Sequence, residues 1–219
     1  MSTHYKLIVG TKDWSSWSLR PYLALRHIGV PFDEDVVPLR KETTSPDILK
    51  YSPTGRVPVL NITEGGSTYS VWDSLAICET LADRHADAKL WPDDLKTRAI
   101  ARAYAAEMHS GFPDVRQQLT MDFARRLPTP DLREETKAQV ARIIASWSDV
   151  LDQHGKNGGF LFGRFSVADC MYGPVVSRFV TYGIEVPAPV RAYMDRMMAL
   201  PAMLDWGRAS KIEVDEGRA

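Results

Sequence analysis

The spacing of apolar and polar positions changes character at about residue 85. Before that point short apolar runs alternate with helical repeats; beyond it only the helical period remains. Leu7-Ile8-Val9 falls within a strand predicted over residues 5–10. An apolar helical stretch over 17–29 ends at Gly29, a residue suited to a left-handed helix end. A second strand over 33–37 leads into the polar loop Arg40-Lys41-Glu42-Thr43-Thr44. Ser45-Pro46 then opens a short helix, since proline fits the first helical turn. Strands over 57–62 and 67–71 flank Glu64-Gly65-Gly66, a turn at hairpin spacing. Asp73 or Ser74 caps a helix running to about His85. Alternation of this kind predicts an α/β unit.

From Ala86 to Asp94 the chain turns polar and includes Trp91-Pro92-Asp93, the composition of a linker. Everything after it reads as helix. Residues 94–125 are periodic, with a kink or loosened turn expected at Gly111-Phe112-Pro113. In 132–154, Val140, Ile143, Ile144, Trp147, Val150 and Leu151 form one apolar stripe. Ser166-Val167-Ala168-Asp169 has capping-box spacing, with Asp where Glu or Gln is usual. Helices are predicted over 188–199 and 201–209, followed by a frayed polar tail at Glu213–Ala219. The division expected is an α/β domain over 1–86, a linker over 87–93 and an all-α domain over 94–219.

Composition narrows the function classes. The 219 residues are 44% hydrophobic and 25% charged, enough apolar content for a packed core rather than disorder. A formal net charge of −1 without single-sign runs gives no nucleic-acid or acidic-membrane footprint. The start of the chain shows no signal-peptide apolar region, and no later apolar run is of membrane-spanning length. Cys78 and Cys170 lie far apart with no Cys-x-x-Cys spacing, which fits reduced, buried thiols in the cytoplasm. None of the five histidines has metal-ligand spacing, so no metal is expected.

Three segments carry candidate chemistry. Thr54-Gly55-Arg56-Val57-Pro58 heads an apolar strand; alone, Pro58 reads as an ordinary trans proline at a strand start. Asp73-Ser74 heads an apolar helix and reads first as a cap, although a helix N-terminus also suits a carboxylate. Trp14-Ser15-Ser16-Trp17-Ser18-Leu19-Arg20 lies where the first strand passes to the first helix. In this order, and with Phe160-Leu161-Phe162-Gly163 and Ser166–Asp169 further on, they resemble the glutathione S-transferase family over nearly the whole chain.

That resemblance implies a thioredoxin-like N-terminal domain, a helical-bundle C-terminal domain, a homodimer and glutathione as co-substrate. It implies a cis peptide at Val57-Pro58, turning the Val57 N–H and C=O toward the extended tripeptide as in strand addition. Ser74 and the first helical amides would hold the γ-glutamyl carboxylate, and Asp73 would face the α-ammonium. Ser16, Trp17, Lys41 and Arg56 complete the glutathione contacts. The second substrate would sit against Trp14, His109, Phe112 and Arg116, with Tyr104, Met108 and Met121 nearby and Tyr104 and Met108 read as interdomain core. Arg116 is expected to hold an anionic substrate or the glycyl carboxylate.

The implied chemistry is thiolate activation. A thiol of pKa ~8.5 needs a shift of roughly two units to be mostly ionised at neutral pH. One hydrogen bond to the charged sulfur, worth about 1.5–3 kcal/mol, and a helix N-terminus suffice without a general base. The segment is similar to the Ser-Ser-Cys-Ser-x-Arg motif of the zeta class, the maleylacetoacetate isomerases. Matched residue by residue, its leading serine is Ser15, with Ser16 the alternative, and its cysteine falls on Trp17. Three activities remain in view: conjugation of glutathione to small hydrophobic electrophiles, zeta-like cis–trans isomerisation, and non-catalytic ligand binding.

Overall fold

The computed structural model describes residues 3–219. Strand β1 (His4–Gly10) leads through a tight turn into helix α1 (Ser16–Ile28), which Gly29 ends in a left-handed conformation at φ 78°. Strand β2 (Phe32–Val37), the short helix α2 (Thr44–Leu49), strands β3 (Val59–Glu64) and β4 (Ser67–Val71) and helix α3 (Ser74–Arg84) follow. The sheet order is β2-β1-β3-β4. β1 runs parallel to β2 and antiparallel to β3, and β3 pairs antiparallel with β4. This mixed sheet is the thioredoxin-like arrangement.

The apolar run at residues 7–9 is continuous because β1 is covered on both faces. Leu7 and Val9 join the large core shared with α1 and α3, whereas Ile8 joins Val37, Ile48 of α2 and Val59 on the other side. Strict alternation along one strand therefore feeds two cores. β3 begins two residues later than the apolar pattern suggests, since Val57 and Pro58 lie outside the ladder.

The second half holds α4 (Leu95–Ser110), α5 (Pro113–Gln118), α6 (Glu134–His154), α7 (Val167–Thr181), α8 (Ala188–Met198) and α9 (Pro201–Asp215). The periodic segment 94–125 is broken rather than kinked. Gly111 is extended, Phe112 adopts a left-handed conformation (φ 60°, ψ 48°), and Pro113 restarts the helix at its first turn. The polar tail is also anchored where fraying was expected. α9 continues to Asp215, and the Asp13 amide donates to the buried Glu213 carboxylate at 3.0 Å. The segment between α3 and α4 is packed: Leu90 and Trp91 are buried, and the Trp91 indole donates to Glu79 at 2.9 Å.

α7 is the most deeply buried helix, and its start is fixed from within. The capping box at Ser166 and Asp169 is formed, with Asp169 accepting from the Ser166 N–H and hydroxyl, each at 2.9 Å. Its other oxygen accepts from the Leu161 N–H at 3.1 Å. α7 packs directly on α1, so the two halves share one core. The approach is close: a Cβ on Gly173 would stand 2.7 Å from Leu23 Cδ1, so a larger residue there requires the Leu23 side chain to shift.

Asp169→Ala strands two buried N–H groups as well as the cap. Each unpaired buried donor costs about 1–3 kcal/mol, so we expect a loss of at least ~2 kcal/mol in denaturant titration. The melting temperature should fall by about 5 °C or more.

Candidate active site

A cleft of about 500 Å³ opens on the N-terminal half, lined by Trp17, Thr54, Arg56, Val57, Pro58, Trp72 and Asp73. Three elements meet there. The loop before β3 contributes Thr54 to Pro58, the start of α3 contributes Asp73, and the first turn of α1 contributes Trp17. The Val57–Pro58 peptide is cis, and so is Trp72–Asp73. Among the described residues neither the N–H nor the C=O of Val57 has a hydrogen-bond partner, leaving one edge of backbone open to the cleft.

Asp73 is the N-cap of α3. Its Oδ1 accepts from the amides of Leu75 (3.0 Å) and Ala76 (3.4 Å), leaving the Ser74 amide unpaired among the described residues. Its Oδ2 stands 2.9 Å from His109 Nε2, reaching across from the last turn of α4. Asp73, expected to face the ligand α-ammonium, is thus also engaged on both oxygens by protein groups. Ser74 is wholly buried, with its hydroxyl against Arg20 Nη1 at 3.5 Å, so the hydroxyl is turned away from a carboxylate entering the cleft.

At the start of α1 the two serines are used differently. Ser15 is the N-cap residue but makes no capping bond; its hydroxyl donates to Ser18 Oγ at 2.7 Å, which also accepts from the Gly10 N–H. The Ser16 hydroxyl accepts from Arg178 Nη2 at 3.2 Å. Both serines are buried behind Trp17. The loop carrying them is clamped by Asp13, which accepts from the Ala124 amide (2.9 Å) and the Ser210 hydroxyl (2.6 Å).

Trp17 is surrounded by cationic groups. The Arg20 guanidinium lies 4.2 Å from its ring and that of Arg116 4.9 Å, and the His109 ring meets it edge-on at 5.4 Å. Arg116 does not present its charge to a substrate as expected. It donates to the Gly111 carbonyl at 3.0 Å and to that of Met108, closing the C-terminus of α4 after the chain breaks at Phe112. Phe112 is a buried core residue, Trp14 stacks with Arg40 at 4.1 Å, and neither lines the cleft. Lys41 sits on the exposed loop before α2, its amide bonded to Thr44, outside the cleft lining. Tyr104 and Met108 are packed in the shared core, as read.

Thr54, Trp72 and Arg20 belong to the candidate segments or border them without a role assigned from sequence, and Arg178 was not singled out at all. Arg178 left a signal, a single arginine inside the apolar stretch of α7. Burial pushes the Arg178 guanidinium down to about 10, and the nearby Arg116 charge adds to the effect. Arg20 is pushed to about 9, first by burial and then by Arg116 and Arg178. Its Nε and Nη2 have no partner among the described residues. Three guanidiniums thus gather behind the cleft, and the carboxylate acting on Arg20 is Asp73 at the cleft wall. Among the described residues no group of His, Cys, Asp or Glu is placed to hold a metal.

These features meet independent comparisons. A family model of the glutathione S-transferase N-terminal domain matches residues 14–84, and one of the C-terminal domain matches residues 130–206. The chain belongs to the glutathione S-transferase family. A probable maleylacetoacetate isomerase of Caenorhabditis elegans is 24% identical over 192 residues, covering 86% of each chain. A zeta-class glutathione S-transferase of Euphorbia esula is 27% identical over 160 residues, covering 72% of this chain and 66% of that one. The crystal structure of maleylacetoacetate isomerase from Anaeromyxobacter dehalogenans, with glutathione bound in its active site, is similar in fold. Its TM-score is 0.69 at 24% identity, covering 94% of this chain and 95% of that one.

Arg20 yields a test of what the buried charge is for. Its folded form sheds the proton near pH 9, whereas an unfolded arginine keeps it to far higher pH. Below pH 9 the folded state therefore carries the full burial penalty, which is relieved only as pH rises above that value. Arg20→Met at pH 7 should melt no lower than the wild type and bind anionic ligands more weakly. A large drop in melting temperature would assign Arg20 to structural support instead.

Proposed function

We propose that the chain is a glutathione-dependent transferase acting on small hydrophobic electrophiles. The carrying observation is the unpaired Val57 backbone, set in the same cleft wall as the first turn of α1 and the start of α3. Glutathione would extend along Val57 and Thr54, its γ-glutamyl end at Asp73 and the Ser74 amide. That placement delivers the sulfur to the first turn of α1 beside Trp17. There Ser15 rotates from Ser18 and donates to the thiolate; Ser18 keeps the Gly10 N–H as a donor. The thiol proton leaves to solvent. The thiolate lone pair then forms the S–C bond, and the electrophile's leaving group departs with the displaced pair.

A zeta-like isomerase is the second reading, favoured by the names of the relatives above. The same thiolate adds to a cis double bond, the adduct rotates about the resulting single bond, and the thiolate is expelled. Trp17, where the zeta motif has cysteine, counts against that reaction. Turnover of maleylacetone separates the two. A pure binder would leave the thiol of bound glutathione near its free pKa of ~8.5.

Calorimetry should show glutathione binding at millimolar concentration or tighter. Ser15→Ala should lower turnover of model electrophiles about 10- to 150-fold, the loss of one charge-assisted hydrogen bond, while affinity changes only a few-fold. If Ser16→Ala abolishes turnover and Ser15→Ala does not, the hydroxyl held by Arg178 is the thiolate donor.

A further inference from the structure

His109 carries an inference beyond that assignment. Asp73 has two carboxylate oxygens and both are committed. Oδ1 caps α3 through two amides, and Oδ2 faces the His109 imidazole at 2.9 Å. An ammonium group entering the cleft has to share this half-exposed carboxylate with the imidazole already bound at Oδ2. The imidazole is weakly held elsewhere: Nδ1 is buried without a partner among the described residues, and the ring meets the edge of Trp17. It belongs to the last turn of α4, just before the chain breaks at Gly111 and Phe112. Such a ring can swing aside without disturbing a regular helix interior.

We propose that His109 is a specificity-determining residue that competes with the ammonium of a ligand for Asp73, rather than a contact for the second substrate. The proposal rests on the glutathione reading, because it presumes a ligand whose ammonium reaches Asp73. His109 then lowers the affinity for any ammonium-bearing ligand by the free energy of the contact it surrenders. Ligands without that ammonium leave the contact in place and are unaffected. The cleft's preference between glutathione and its analogue lacking the α-amino group is thus narrower than Asp73 alone would make it. Selectivity of this kind is a difference of affinities, set as much by the competitor as by the partner.

The test is calorimetric titration of the wild type, His109→Phe and His109→Gln with glutathione and with desamino-glutathione. Phenylalanine keeps the ring against Trp17 and removes the nitrogen; glutamine keeps a donor and guards against a folding defect in the first variant. His109→Phe should bind glutathione about 1.5- to 5-fold tighter, the range of a partly exposed polar contact. Desamino-glutathione should bind all three proteins alike, and His109→Gln should fall between the others with glutathione. In NMR spectra of the wild type, the His109 ring resonance should shift with glutathione and stay with the analogue. Unchanged or weaker glutathione binding in His109→Phe overturns the proposal, as does an equal change for both ligands. An unmoved His109 resonance in glutathione-saturated protein removes this proposal alone. Absence of glutathione binding to all three proteins removes the glutathione reading and this one with it.

Discussion

The packing of α1 on α7 is the contact on which the rest of the molecule depends. α1 closes one face of the sheet and at the same time faces a helix from the other half of the chain, so it belongs to both. That double duty leaves no slack. Leu23 would have to move to admit a Cβ at Gly173, and the buried carboxylate of Asp169 fixes where α7 begins. The interface also reaches the chemistry, because Arg178 of α7 donates to Ser16 at the head of α1. A shift of α7 would move the first turn of α1, and with it the geometry around any bound sulfur.

Charge is arranged at this junction against stability. Three guanidiniums collect behind Trp17, and two Arg20 nitrogens in the interior have no partner among the described residues. A folded domain does not gain from an unpaired buried charge. The cationic environment instead favours an anion at the cleft, together with the uncapped first turn of α1. Trp17 moderates the cost, since its ring faces the guanidiniums and shields them from water. The tryptophan therefore does electrostatic work that a cysteine at the same position would not.

Most of the fold was legible from periodicity, because β1, α1, α3, α6 and α7 each have an apolar run or stripe, and β4 was marked by the Glu64-Gly65-Gly66 turn before it. The misreadings have local causes. The segment 94–125 keeps its apolar period across Gly111-Phe112-Pro113, so pattern alone could not show that Phe112 takes a left-handed conformation. The tail at 213–219 is polar, yet Glu213 is buried because it receives the Asp13 amide, a partner two hundred residues away. Long-range satisfaction of a single backbone group leaves no trace in local composition.

The candidate site was legible to a different depth. Trp17, Arg56, Val57, Pro58 and Asp73, read from separate motifs, line one cleft. The side chains expected to meet ligand are harder to read. Asp73 faces His109, Arg116 closes the end of α4, Ser74 turns to Arg20 and Ser15 to Ser18. The physical reason is common to all four. A polar group beside an apolar cleft must be satisfied when no ligand is present, and the nearest groups able to satisfy it are the other members of the same site. Residue type and spacing reveal which groups are present, but which partner each group holds is decided by the competition among them. Ligand affinity in such a site is an exchange of partners, set by what each group gives up as well as by what it gains.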